Sequence, residues 1–138
     1  MRSILTVLSG LVSGGLTVYL LQWLGHRIVP PPEGLKLEDI EAIKAYVLTA
    51  PPAVFLLLLA AWAGGAFVGG MVASFIARTH RLRHSLAVGA IQAVLAAMQL
   101  AMVPHPAWVA ISGVALFIPF AWLGGKLFAG VPELEAAA

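Results

Sequence analysis

The chain has 138 residues, of which 61% are hydrophobic and only 10% charged, with a mean hydropathy of +0.97. A water-soluble domain carries charge on about a quarter of its residues, so this chain cannot cover a water-facing surface and reads as a single integral membrane domain. Its formal charge of +2 is spread over short loops, which argues against nucleic acid as a partner, and the lack of cysteine excludes disulfides, thiolate metal sites and cysteine nucleophiles.

The first apolar run, Ile4 to Leu24, follows directly on Met1-Arg2-Ser3. A signal peptide has an apolar core of about 7–15 residues and ends in a small-x-small cleavage site. This run is longer, lacks that ending and closes on Gln22, Trp23, His26 and Arg27, so it is expected to stay as a membrane span over 4–24. Thr6, Ser9, Gly10, Ser13, Gly14 and Thr17 recur at helical spacing, where small and hydroxyl residues admit a neighbouring backbone.

Pro30-Pro31-Pro32-Glu33-Gly34 cannot lie inside a helix, because proline has no amide donor and clashes with the preceding turn. Residues 35–50 then place Leu37, Ile40, Ile43 and Val47 on one face and Glu38, Asp39, Glu41 and Lys44 on the others. That pattern predicts a short amphipathic helix at the membrane surface. Pro51-Pro52 ends it, so residues 25–52 form one loop carrying a helix.

The second and third spans, 53–76 and 86–103, flank Arg78-Thr79-His80-Arg81-Leu82-Arg83-His84, the densest charge in the chain. Ala61, Gly65, Gly69, Ala73 and Ala77 recur every four residues before this turn; Ser85, Gly89, Ala93, Ala97 and Ala101 do so after it. The two stripes are expected to pack against each other in an antiparallel hairpin. Pro104-His105-Pro106-Ala107 is a tight turn into the fourth span, 108–128, where Pro119 removes one backbone hydrogen bond and should kink the helix. Gly130-Val131-Pro132 leads into an acidic, alanine-rich tail.

Lysine and arginine set the orientation. With the N-terminus inside, Arg2, Arg78, Arg81, Arg83 and Lys126 face the cytoplasm, whereas Arg27, Lys36 and Lys44 lie outside among carboxylates. The expected fold is all-α transmembrane: a four-helix bundle, N-in/C-in, with a short amphipathic helix in the first outer loop. Arg78, Arg81, Arg83 and Lys126 are then placed to contact anionic headgroups on the cytoplasmic side. Ala61-Trp62-Ala63-Gly64-Gly65 is echoed by Ala121-Trp122-Leu123-Gly124-Gly125, which suggests two tandem hairpins, although the second copy lies nearer its cytoplasmic end.

Several stretches carry a resemblance: Ile28-Val29-Pro30-Pro31-Pro32-Glu33-Gly34, the segment from Asp39 to Ala45, Ala77-Arg78-Thr79-His80-Arg81-Leu82-Arg83, Pro104-His105-Pro106-Ala107-Trp108, and Ile118-Pro119-Phe120-Ala121-Trp122-Leu123-Gly124-Gly125-Lys126-Leu127. Together they resemble a family of uncharacterised four-helix integral membrane proteins of bacteria. The resemblance covers most of the chain and implies a multi-pass protein of the bacterial inner membrane, with no activity attached. Where that family tends to have a histidine in the second span this chain has Trp62, so no role for that histidine carries over.

Residues with chemistry are sparse. Gln92 and Gln99 lie seven apart on one face of the third span; with Gln22, Ser13 and Thr17 they are expected to line an intramembrane polar pocket or to hydrogen-bond between helices. Gly10, Gly14, Gly65, Gly69, Gly89 and Ala93 are the expected packing positions, which leaves a homo-oligomer or a larger membrane complex open. No Asp, Glu, Lys, Arg or His lies deep in a span, so the sequence shows no proton relay or coupling carboxylate. Small multidrug exporters of this size depend on a membrane-embedded glutamate, which is missing here.

His80 and His84 have the spacing of a metal pair but straddle the turn. On the other side His26, His105 and Glu33 have the ligand types of a zinc or acid–base site. No cofactor is expected. The leading expectation is a non-enzymatic membrane module that binds lipid or another hydrophobic ligand, or packs against a partner or itself. A small oligomeric channel with a polar path near Gln92 and Gln99 comes second, and an outer-face His/carboxylate enzyme third.

Overall fold

The computed structural model describes residues 2–36 and 38–130, and all their regular structure is helical. Four helical stretches are long and apolar enough to cross a membrane. These are α1 (Arg2–Ile28), α3 (Pro52–Ile76), α4 (Arg81–Met102) and a fourth span built from α5 (Ala107–Ala115) and α6 (Phe117–Ala129). A short helix, α2 (Ile40–Thr49), sits in the connection between α1 and α3. Leu37, expected on the apolar face of α2, and the acidic tail from Val131 onward lie outside the described residues.

Local chemistry sets the boundaries. The amide of Val29 still donates to Gly25 (2.9 Å), so α1 runs a turn past Leu24 before the prolines stop it. Gly34 then adopts φ +84°, a left-handed conformation that side-chain-bearing residues resist. The next helix begins at Ile40 rather than Leu35. Asp39 caps it, its carboxylate accepting from the Ala42 amide at 3.1 Å in the geometry that stabilises a helix start by about 1 kcal/mol. Val47 and Ile43 pack with Phe55 and Val109, whereas Ile40 is exposed.

The arginine turn is tighter than expected. Helix α4 begins at Arg81, so the connection from α3 is Ala77 to His80 instead of seven residues. His80 reverses the chain at φ 48° and ψ 40°, and its carbonyl accepts from the Arg83 and His84 amides (2.9 and 3.3 Å). In the fourth span the helix is interrupted at Leu116. Pro119 has no amide to give the Ala115 carbonyl four residues back, and regular bonding resumes with Phe120 donating to Leu116 at 3.1 Å.

Helix α3 is the centre of the bundle, touching α1, α4, α5 and α6, while α1 and α6 do not meet among the described residues. Against α1 it packs backbone to backbone. A Cβ on Gly10 would lie 2.7 Å from the Gly69 oxygen, and one on Gly69 would lie 2.8 Å from the Gly10 oxygen. Gly14 and Gly65 repeat that reciprocity at 2.7 and 2.8 Å. So the Gly65/Gly69 stripe closes on the first helix.

That corrects the pairing expected from the two stripes. The partner for Gly89 is α6, where an added Cβ would meet Ala121 Cβ at 2.6 Å and the Phe117 oxygen at 2.9 Å. Ala93 packs instead into the cluster around Trp62 and Phe117. Helices α3 and α4 are neighbours, but Val88, not a glycine, fills the space opposite Gly69. Helix α3 carries small residues on more than one face, so their four-residue period admits several neighbours and selects none.

The tryptophan echo also separates. Trp62 is 3% exposed, its ring 5.6 Å from Phe117, while Trp122 is 37% exposed beneath the Lys126 ammonium at 4.1 Å. Trp62 stands level with Gly113 and Gly70 with Ala121, so the two copies sit about two turns apart in depth. They are not equivalent positions. Outside, Val12, Leu16, Tyr19, Phe75 and Ile111 are exposed, the surface pattern of helices whose solvent is lipid.

Candidate functional site

Among the described residues, polar groups gather at three places in the bundle. At the arginine end, Ser74 and Ser85 are fully buried and satisfied across helices. The Ser74 hydroxyl donates to the Gly125 carbonyl at 2.7 Å, and the Ser85 hydroxyl donates to the Ala121 carbonyl. Only glycine at 70, 124 and 125 lets α6 come close enough for both bonds. Arg81 is half-buried, its Nη1 donating to the Ser74 carbonyl at 3.0 Å, so it ties the end of α3 to the start of α4. Arg78, Arg83 and Lys126 are exposed. The His84 ring turns back on its own helix start, with Nδ1 3.1 Å from the His80 carbonyl.

The opposite end holds an apolar cavity of about 110 Å³ between α1, α2 and α3. Val47, Phe55 and Leu58 supply its walls; Gln22, His26, Tyr46 and His105 supply its polar groups. His105 is held by two contacts: Nδ1 lies 2.6 Å from the Val103 carbonyl, and its ring meets the edge of Phe55 at 6.0 Å. A carbonyl only accepts, so Nδ1 carries the hydrogen in this contact. Glu33 does not line this cavity, and among the described residues no three His, Asp or Glu side chains gather as a metal site.

The third place is a groove of about 220 Å³ between α1 and α4, floored by Trp62 and Phe117. Gln92 and Gln99 line it together, with Leu11, Gly15 and Val18 opposite. Gln22 belongs to the other cavity. Ser13 and Thr17 spend their hydroxyls on their own helix, donating to the Ser9 (2.9 Å) and Ser13 (2.8 Å) carbonyls, a common alternative to interhelical bonding. The five polar residues grouped from sequence are thus distributed over two cavities and one helix backbone.

Sequence reasoning did not single out Tyr46 or the inward turn of Arg81. Tyr46 sits three residues after Ile43, on the side that meets the bundle, which is the signal that locates it. Nothing in one dimension distinguishes Arg81 from Arg78 or Arg83. Compared with known proteins, the chain matches no family model, no curated protein and no solved structure. What the geometry offers is two apolar concavities, each with a few hydrogen-bonding groups. Concave, mostly apolar linings with a few placed polar groups are the general form of small-molecule sites.

Proposed function

We propose that this chain is a non-enzymatic module of the bacterial inner membrane that binds lipid or another hydrophobic ligand in the cavity beneath α2. One observation carries the reading. Ile43 and Val47 seat α2 on the bundle beside Phe55, and the chamber left between α1, α2 and α3 joins apolar walls to a set of four polar side chains. Read as an amphipathic helix at the interface, α2 puts those groups at headgroup depth. At roughly 30 Å³ per water-sized group, the chamber holds about four methylene-sized groups, the root of one chain, with the remainder in the bilayer.

Ala50 lines this chamber and is half-buried, so a larger side chain there fills it. Native mass spectrometry of the wild-type protein, delipidated and titrated with phosphatidylglycerol, is expected to show a retained lipid. Ala50→Phe should weaken that binding roughly tenfold, corresponding to about 1.4 kcal/mol. Equal retention by both proteins would remove the cavity from the reading.

The orientation belongs to the same proposal. Arg2, Arg78, Arg81, Arg83 and Lys126 share one end of the bundle, and excess positive charge favours the cytoplasmic side, where exposed Arg78 and Arg83 meet anionic headgroups. The chain has no cysteine of its own. In intact cells a membrane-impermeant maleimide should therefore label Lys36→Cys and spare Thr79→Cys. The reverse pattern would invert the topology.

A further inference from the structure

The cavity beneath α2 draws its polar lining from three elements: Gln22 and His26 from α1, Tyr46 from α2, and His105 from the turn between α4 and α5. None of these residue types is negatively charged at neutral pH, and histidine can be positive. The α3 wall, Val54, Phe55, Leu57 and Leu58, is apolar throughout. The neighbouring charges do not line the chamber. Arg27 lies over the Trp23 ring at 4.8 Å, and Lys44 pairs with Glu41 at 2.8 Å. Glu33 is exposed in the loop, while Glu38 and Asp39 line a separate surface concavity with Lys36 and Glu41.

These lining groups are also within a ligand's reach. Among the described residues that are not exposed, the side-chain polar atoms both sealed and unpaired are Arg81 Nε and Gln92 Oε1. Gln22, Tyr46 and His105 are half-buried, and no hydrogen bond within the described residues engages the side chain of Gln22 or Tyr46, so their polar ends are unpaired but not sealed. His105 adds a condition. Its Nδ1 is committed to the Val103 carbonyl at 2.6 Å, so a ligand meets the ring at Nε2. With a hydrogen on Nδ1, Nε2 donates only when the imidazole is protonated. A ligand that accepts hydrogen bonds therefore favours the charged ring, and one that donates favours the neutral ring.

We propose that the polar end taken by this cavity is a phosphate group that accepts from His105 Nε2, with His26 supplying the second charge of the lining, and that binding tightens on acidification. The lining decides the sign. An anion gains from two imidazoles and meets no carboxylate, whereas a cationic head finds no opposite charge there. At headgroup depth, the anion that the surrounding bilayer presents is the phosphate of its own lipids. The proposal rests on the reading of this cavity as a lipid site and adds the chemistry of the head. Histidine changes charge between about pH 5 and 8. A bound anion favours the protonated ring, so the extra affinity is fully present below the ordinary histidine range. It is lost as pH rises through the value of the bound state.

The test is native mass spectrometry of the delipidated protein at about pH 6 and about pH 8, on either side of the ordinary histidine value. Phosphatidylglycerol is compared with diacylglycerol of the same chains, which lacks the phosphate. Phosphatidylglycerol stays ionised at both pH values and should bind at least about fivefold more tightly at the lower one. Diacylglycerol should show no change. His105→Gln keeps a polar side chain that cannot titrate and should remove most of the pH ratio; His26→Gln together with it should remove the rest. Inorganic phosphate in excess should leave the lipid bound; displacement would support the phosphate site and make free phosphate its source. Equal affinity for phosphatidylglycerol at the two pH values, tighter binding at the higher one, the same ratio for diacylglycerol, or a ratio that survives both replacements would each overturn the proposal. Each of those results leaves the effect of Ala50→Phe, and with it the lipid reading, standing. Loss of that effect fails the reading itself.

Discussion

Gly124→Ala is expected to destabilise the folded bundle by about 2–3 kcal/mol, at the upper end of what overpacking one methyl costs. The added Cβ would land on the Phe67 carbonyl oxygen, 2.9 Å from the carbonyl carbon and 3.0 Å from the Met71 nitrogen. All three atoms are α3 backbone. No rotamer change relieves the clash, so α6 must move away from α3. That movement also stretches the Ser74–Gly125 and Ser85–Ala121 hydrogen bonds, which depend on the same close approach. In lipid, helices associate through packing and such bonds rather than through exclusion of water, so both contributions fall together. Titration with SDS from mixed micelles, followed by circular dichroism, measures the loss. Gly15→Ala is the control: its Cβ meets nothing within 4 Å, and helix propensity alone favours alanine by up to ~1 kcal/mol. Equal losses in the two variants would refute the close-approach account.

Arg81→Ala should cost about 2 kcal/mol, within the range for hydrogen bonds to charged groups. The reason is local. At the end of α3 the last carbonyls have no helical amide to meet, and the Arg81 guanidinium reaches one of them, that of Ser74, at 3.0 Å. A cation at a helix C-terminus also answers the negative end of its dipole. Arg78→Ala and Arg83→Ala remove exposed side chains and should change stability by no more than about 0.5 kcal/mol. The same SDS titration separates the three. If Arg78 or Arg83 proved as costly as Arg81, the turn would be stabilised by its net charge and not by this one bond.

The membrane class, the four spans, the proline-rich connection and the break near Pro119 were all legible in the chain. Each rests on a property of a residue type that holds wherever the residue sits: apolar runs long enough to cross a bilayer, and prolines without an amide. The start of α2 was legible only in part. The periodicity from Leu35 fits a helix, but the Asp39 cap sets where it begins.

Which helix each stripe meets was not legible. Gly10, Gly14, Gly65 and Gly69 were recognisable as packing residues, yet only the folded chain pairs the first two with the last two and sends Gly89 to α6. The same holds for polar groups. Gln22, Gln92 and Gln99 looked like one set because they are alike and lie inside spans. The structure puts Gln22 beside His26, Tyr46 and His105, and leaves Gln92 and Gln99 to share a separate groove.

By itself, then, the sequence determined the number of helices long and apolar enough to cross a bilayer. That number follows from summed transfer energies along a contiguous run. Only the tertiary structure decided which glycines touch, which arginine turns inward and which glutamine is left without a partner, because those depend on the azimuth at which one helix meets another. A repeat of small residues marks a face that permits contact, and the neighbour that takes it is chosen by the packing of the whole bundle.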